Sequence, residues 1–166
     1  MRLFCLGILL LAGFTCAAGS FPQLTGRVVD TVNFYTTKQC YELITVLRDF
    51  EDATNIKIVV VAVATIDGKD VLEYASELLN YWELGRDNAA ALFLIAPKDR
   101  KLAIATSAGM QKALTDEACV AIVKGYITPL FKDGRFFDGT KAGLARMMAI
   151  VDPLFKPDFA SGLPGL

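Results

Sequence analysis

The chain of 166 residues contains no histidine. That absence removes the Ser-His-Asp triad, the Cys-His pair, the phosphohistidine intermediate and every histidine-ligated zinc site. Cysteine is nearly as scarce, with four in all, and two of them, Cys5 and Cys16, fall in the first twenty residues. The other two lie on the apolar stripes of predicted helices: Cys40 with Leu43, Ile44, Leu47 and Phe50, and Cys119 with Ile122, Val123 and Tyr126. Two buried thiols would satisfy that placement, and so would a disulfide in an oxidising compartment. No basic run is present, and 17 Lys and Arg stand against 18 Asp and Glu for a net charge of −1. This balance argues against nucleic acid as a partner and offers no polybasic handle for anionic lipid. The Gly-x-x-x-x-Gly-Lys and Gly-x-Gly-x-x-Gly phosphate cradles are missing, as is the EF-hand spacing.

The longest uninterrupted apolar run lies at the start. Arg2 supplies a positive charge, residues 3–14 carry none, and Cys16, Ala17, Ala18, Gly19 and Ser20 follow as small residues. This is the layout of a secretory signal peptide over residues 1–18, with cleavage expected after Ala18. The apolar run is short for a membrane-spanning helix, which needs about 20 residues. The apolar stretches at 56–64 and 89–96 are of strand length, so no transmembrane anchor is expected in the mature chain. Arg2 leaves with the leader, which makes the remainder one unit more acidic. That remainder is the size of a single domain, assigned to residues 21–152, followed by a Pro- and Gly-containing tail over 153–166.

Within the domain, helical and strand periods alternate. Gly26, Arg27, Val28, Val29 and Asp30 form a short β-prone piece. Thr36 and Gln39 form a capping box for a helix reaching about Asp52. The β-branched run at 56–64 does not alternate, as expected of a central strand covered on both faces. Asp67 and Gly68 turn the chain, and Asp67 is expected to cap a second helix over 69–84. Its buried stripe is Leu72, Ala75, Leu78, Leu79 and Trp82, and Gly85 is expected to end it as a C′ glycine. Residues 89–96 and 101–106 pair as an antiparallel hairpin across Pro97, Lys98, Asp99 and Arg100. A helical turn over 109–114 precedes Thr115, which caps a third long helix that Pro129 should kink or end. Asp138 is expected to cap a last helix that buries Leu144, Met147, Met148 and Val151. Together these predict an α/β fold, a three-layer α/β/α sandwich around a small mixed sheet.

The remaining chemistry rests on acids at element boundaries: Asp30, Asp87 with Asn88, Asp116 with Glu117, and Asp133. Oxygen ligands of this kind suit a hard cation such as Ca²⁺ or Mg²⁺. Each also has an ordinary structural use: Asp116 as a helix-terminus acid, Asp133 in a turn, Asp87 and Asn88 at a strand entry.

Several spaced segments resemble the TPM family. They are Leu24-Thr25-Gly26-Arg27-Val28-Val29-Asp30 at the opening; Trp82-Glu83-Leu84-Gly85, Asp87-Asn88 and Asp99-Arg100-Lys101 around the hairpin; Gly109 followed by Leu114-Thr115-Asp116; and Pro129-x-Phe131-x-x-Gly134. The resemblance runs in order from about residue 22 to 151. It implies an exported α/β/α domain of the periplasm, cell surface or thylakoid lumen. Family members are associated with acid phosphatase activity, with divalent metals in an acidic cleft, and with assembly or repair of membrane complexes. Carried over, the metal positions are Asp30, Asp87, Asn88 and Asp116, with Arg100 and Gly109 as motif residues.

The chain departs from the family pattern at Ser107-Ala108-Gly109-Met110-Gln111, where members read Gly-x-Gly-x-Glu. Gln111 keeps a carbonyl oxygen but loses the charge, Ala89 replaces a glycine, and Arg135 stands where an acid is common. Three functions follow from the resemblance: a non-catalytic accessory module of a membrane-associated or envelope complex, a metal-assisted phosphatase, and a Ca²⁺-binding structural domain. The departures favour the first.

Overall fold

The structure is a computed structural model and describes residues 21–159. The expected signal peptide therefore lies outside the described residues, as does the end of the tail. The elements run β1 (Val28–Asp30), α1 (Thr37–Thr54), β2 (Lys57–Ala62), α2 (Val71–Tyr81), β3 (Ala90–Ala96), β4 (Lys101–Thr106), α3 (Asp116–Ile122), a π-helical turn (Val123–Ile127), α4 (Thr128–Lys132) and α5 (Phe136–Val151). The strand order is β1-β2-β3-β4, with the first three parallel and β4 antiparallel to β3.

The sheet is mixed because a helix connects each parallel pair, whereas a tight turn joins β3 to β4. β3 is buried along its whole length and β2 in all but its first residue. Alternation then sends Ile58, Val60, Phe93 and Ile95 to the face covered by α1, α3 and α5. Val59, Val61, Leu92 and Leu94 go to the other face, under α2. The expected three-layer α/β/α sandwich is observed.

Local signals explain most element ends. Thr36 and Gln39 form the expected capping box: the Gln39 N–H donates to Thr36 Oγ1 at 3.3 Å, and the Thr36 N–H donates to Gln39 Oε1 at 2.9 Å. The stripe of α1 is Leu43, Val46, Leu47 and Phe50, whereas Ile44, expected on it, lies at its exposed margin.

Several expectations are corrected. The cap of α2 is Asp70, whose Oδ1 accepts the N–H groups of Leu72 and Glu73. Asp67 and Gly68 both have positive φ, 50° and 79°, so they complete a turn and the helix starts later. Leu72 is 45% exposed; Val71 and Tyr74 pack at that end of the stripe instead.

The C-terminus of α2 arrives early. Glu83 takes the left-handed position at φ 52°, and the N–H groups of Glu83 and Leu84 reach the carbonyls of Asn80 and Leu79, both at 3.0 Å. This is a Schellman closure. Trp82 is consequently half-buried, with its Nε1–H donated to the Pro22 carbonyl at 2.8 Å. Gly85, at φ 84°, serves a different contact: a Cβ there would overlap Ser107 Cβ.

Pro129 does not end the helical run, which continues to Lys132. It lacks an N–H, and the chain widens just before it into a π turn that closes with Thr128 N–H to Val123 O. Pro129 then sits in the first turn of α4, where a missing donor costs nothing. Last, α5 begins at Phe136, and Asp138 lies inside its first turn, held by Arg135 Nε at 3.0 Å rather than capping.

Candidate functional site

The parallel strands give the sheet a carboxyl edge and an amino edge. Asp30 ends β1 beside Ala62, the last residue of β2, and so lies at the carboxyl edge. Lys57, the first residue of β2, pairs with Ala90, which places the preceding Asp87 and Asn88 at the amino edge. The six residues of β2 separate these two ends, a span of about 16 Å at roughly 3.3 Å per residue.

Thr106 ends β4 beside Ala91, also at the amino edge. The turns that carry Gln111 leave from there, and Asp116 opens α3 just beyond them. The expected metal set is thus divided. Asp87, Asn88 and Asp116 belong to one end of the sheet and Asp30 to the other.

Their local chemistry is structural. Asp30 Oδ1 accepts the N–H groups of Val32 at 3.1 Å and Phe34 at 3.0 Å, and Oδ2 accepts that of Tyr35 at 2.9 Å. Asn88 exchanges amide hydrogen bonds with Asn55 at 3.2 and 3.1 Å, tying the end of α1 to the entry of β3. Asp116 stands in the first turn of α3, where a carboxylate complements the helix dipole. Among the described residues no group of three or more His, Cys, Asp or Glu is placed to hold a metal ion. The residues expected to bind Ca²⁺ or Mg²⁺ do not fit one cation.

The carboxyl edge instead carries a cleft of about 840 Å³. Its wall is aromatic: Phe34, Phe131 and Phe136 pack on one another with ring centroids 5.3–6.3 Å apart. Its charged lining residues are Arg100, Lys101 and Lys132, with no acid among them. Each comes from a defined turn. The hairpin presents Arg100, at φ 53°, whereas the Lys101 ammonium turns to the start of α2 and donates to the Lys69 carbonyl at 3.3 Å. Asp99 is held away, accepting from Thr65 Oγ1 at 3.1 Å and the Ile66 N–H at 2.7 Å.

The π turn and α4 bring in Val123, Thr128, Phe131 and Lys132. Small residues on α5 allow this approach. A Cβ on Gly139 would lie 2.6 Å from Phe131 Cδ1, and one on Gly143 2.6 Å from Ile127 Cδ1. Arg100 was visible in the sequence as a motif residue, but the aromatic wall and Lys132 were not. Nothing in one-dimensional spacing joins Phe34 to residues a hundred positions later.

Other titratable groups are buried in the layer beside α1 and α5. Tyr35 Oη and Thr140 Oγ1 lie 2.8 Å apart, and burial pushes the phenol pKa well above its ordinary value. Cys40 and Cys119 are both free thiols. Burial raises the pKa of Cys119 to about 11, and desolvation also raises that of the half-buried Cys40.

The family model for the TPM domain matches residues 28–150. The chain belongs to the TPM-domain family. The solved structures agree in fold. The N-terminal domain of a protein from P. gingivalis superposes with a TM-score of 0.72 at 20% identity, covering 78% of this chain and 83% of that one. The BA42 protein of the psychrophile Bizionia argentinensis gives 0.63 at 19% identity, covering 78% and 89%. The N-terminal domain of the cg2496 protein from Corynebacterium glutamicum gives 0.60 at 17% identity, covering 84% and 88%. No curated protein matches the chain. No helix among the described residues is long and apolar enough to cross a membrane.

Proposed function

We propose that this TPM domain works outside the cytoplasm as a non-catalytic accessory module of a membrane-associated or envelope complex. One observation carries the reading: the acids that metal-assisted phosphoryl transfer would need lie at opposite ends of the sheet, and both oxygens of Asp30 are occupied by backbone N–H groups. A metal-activated water needs several carboxylates within coordination distance of one ion. The chain also has no histidine to act as base or nucleophile. The export half of the reading is supported by the leader-like first eighteen residues.

The test uses full-length protein produced in cells that recognise secretory leaders. Fractionation followed by intact-mass measurement should find a chain beginning between Ala18 and Phe21 outside the cytoplasm. The same material should show no turnover of p-nitrophenyl phosphate above blank with Mg²⁺ or Ca²⁺. Photo-crosslinking from surface positions should capture a membrane or envelope protein. A chain retaining Met1 in the cytoplasm overturns the export reading. Metal-dependent turnover abolished by Asp116→Asn overturns the non-catalytic one.

A further inference from the structure

We propose that the carboxyl-edge cleft binds a free anionic amphiphile of small-molecule size, with a carboxylate head met by Arg100 and Lys132 and an apolar body lying against Phe34, Phe131 and Phe136. This inference does not rest on the accessory-module reading, since it stands on the cleft alone. Four observations converge on it.

The first is position. In open α/β sheets, ligands settle outside the carboxyl ends of the strands, and this cleft lies where β3 ends and the chain reverses into β4. The second is size and surface. A cleft of about 840 Å³ with a mostly apolar lining and a few charged groups has the make-up of a small-molecule site.

The third is uncompensated charge. Arg27, Arg48, Arg86 and Arg135 each pair with a carboxylate, and Arg146 stacks over Tyr126. Arg100 is the one arginine among the described residues with neither kind of partner, and Lys132 also makes no ion pair there. The nearest acid in sequence, Asp99, is fully engaged by Thr65 and Ile66. Lys101 is engaged elsewhere, its Nζ donating to the Lys69 carbonyl at 3.3 Å beside Asp70, so Arg100 and Lys132 are the cations left to set a positive potential in the concavity, which an anion relieves. A guanidinium suits a carboxylate in particular, because its planar donors match two oxygens at once.

The fourth is exposed apolar surface beside that charge. Phe136 is 45% exposed at the mouth of the cleft and continues the aromatic wall. A head-and-tail ligand would cover the ring and neutralise the cations together. The cations surround a cavity instead of standing on a protruding face, which favours a single enclosed molecule over a membrane surface.

Decanoate below its micelle concentration is the probe, with decanol as the neutral control. Binding is followed by calorimetry and by backbone amide shifts of the ¹⁵N-labelled domain. We expect saturable binding, with shifts centred on Arg100, Leu102, Val123 and Phe131. Decanol, and decanoate on the Arg100→Gln/Lys132→Gln variant, should each bind at least about tenfold more weakly, equivalent to roughly 1.4 kcal/mol. Both substituted residues are exposed, and an otherwise unchanged amide spectrum confirms that the variant is folded.

Several results would overturn the proposal: no saturable shift at millimolar decanoate, shifts centred elsewhere, equal affinity for decanol, or unchanged affinity in the variant. Two further arms test other occupants. Sedimentation with phosphatidylglycerol vesicles without decanoate binding would assign the face to membrane. Cleft shifts with an acidic aromatic peptide but not with decanoate would assign it to a protein segment.

Discussion

Asp30 Oδ2 accepts the backbone N–H of Tyr35 at 2.9 Å, across the loop that joins β1 to α1. With the bonds from Val32 and Phe34 to Oδ1, this clamp sets the path of the chain into α1 and places Phe34 at the rim of the cleft. Asp30→Asn retains an oxygen for one set of donors but turns an amide N–H₂ against the other. The expected loss is about 1.5–3 kcal/mol, the range for hydrogen bonds to a charged group. Urea unfolding should show it equally with and without Ca²⁺. A wild-type midpoint that rises with Ca²⁺ only while Asp30 is intact would reinstate Asp30 as a metal ligand.

Gly139 decides how closely α4 lies against α5. In Gly139→Ala the new methyl would fall 2.6 Å from Phe131 Cδ1 and 2.8 Å from Cε1, so the ring must turn away. Overpacking of this kind costs about 1–3 kcal/mol. The displaced ring belongs to the cleft wall, so amide shifts should spread from α5 to Val123 and Phe34. Shifts confined to the neighbours of residue 139 would contradict the packing described.

Gly85 and Gly125 should respond in opposite directions to the same substitution. Gly85 has φ 84° and faces Ser107, whose Oγ accepts the Ala90 N–H at 2.9 Å and so holds the start of β3. Gly85→Ala adds backbone strain and a steric overlap, each costing about 1–3 kcal/mol. Gly125, in the π turn, has nothing within 4 Å of a built Cβ and no positive φ. Gly125→Ala should be neutral or stabilise by up to about 1 kcal/mol, from helix propensity. Thermal melts of the pair check both signs.

The buried thiol of Cys119 predicts an alkaline loss of stability. Burial raises its pKa to about 11 in the folded chain, against about 8.5 for an unperturbed thiol. The folded state therefore holds a proton that the unfolded state releases first. The stabilisation from this group is complete below about pH 8.5 and falls as pH rises toward 11. Between those values the urea midpoint of the wild type should drop more steeply than that of Cys119→Ala. Near pH 8 Cys119 should resist iodoacetamide until denaturant is added. Rapid native alkylation of Cys119 would show that the layer beneath α3 opens readily.

Much of the architecture was legible in one dimension because its signals are local. The capping box of Thr36 and Gln39 needs four consecutive residues, and the hairpin needs two apolar runs around a four-residue polar turn. Errors arose where two local signals competed. Asp67 and Asp70 are both good caps, and only Asp70 follows the completed turn. Glu83 and Gly85 both take positive φ, and the helix closed at the first, leaving Trp82 half-buried. At Pro129 a kink or an end was expected, and the helical run continues past it through a π turn to Lys132.

The candidate site was less legible than the fold. The acids at 30, 87 and 116 share one feature, a junction between element and loop, and that feature says nothing about which end of the sheet each junction occupies. Strand direction decides it, and strand direction is set by the helix crossovers and by the β3–β4 reversal. The cleft escaped notice for the same reason, since Phe34, Arg100 and Lys132 become neighbours only when α4 docks on α5 beside the hairpin.

By itself the amino-acid sequence determined the chain's class: the order of elements, the two-sided burial of β2 and β3, and the absence of histidine chemistry. These follow from local periodicity and composition, which act on neighbouring residues whatever the rest of the chain does. Tertiary structure alone decided which charges meet. It sent Asp30 and Asp116 to opposite ends of the sheet and gathered Arg100 and Lys132 around one aromatic wall. The physical reason is that electrostatic partners are set by distance through space, and distance exists only once the layers have packed.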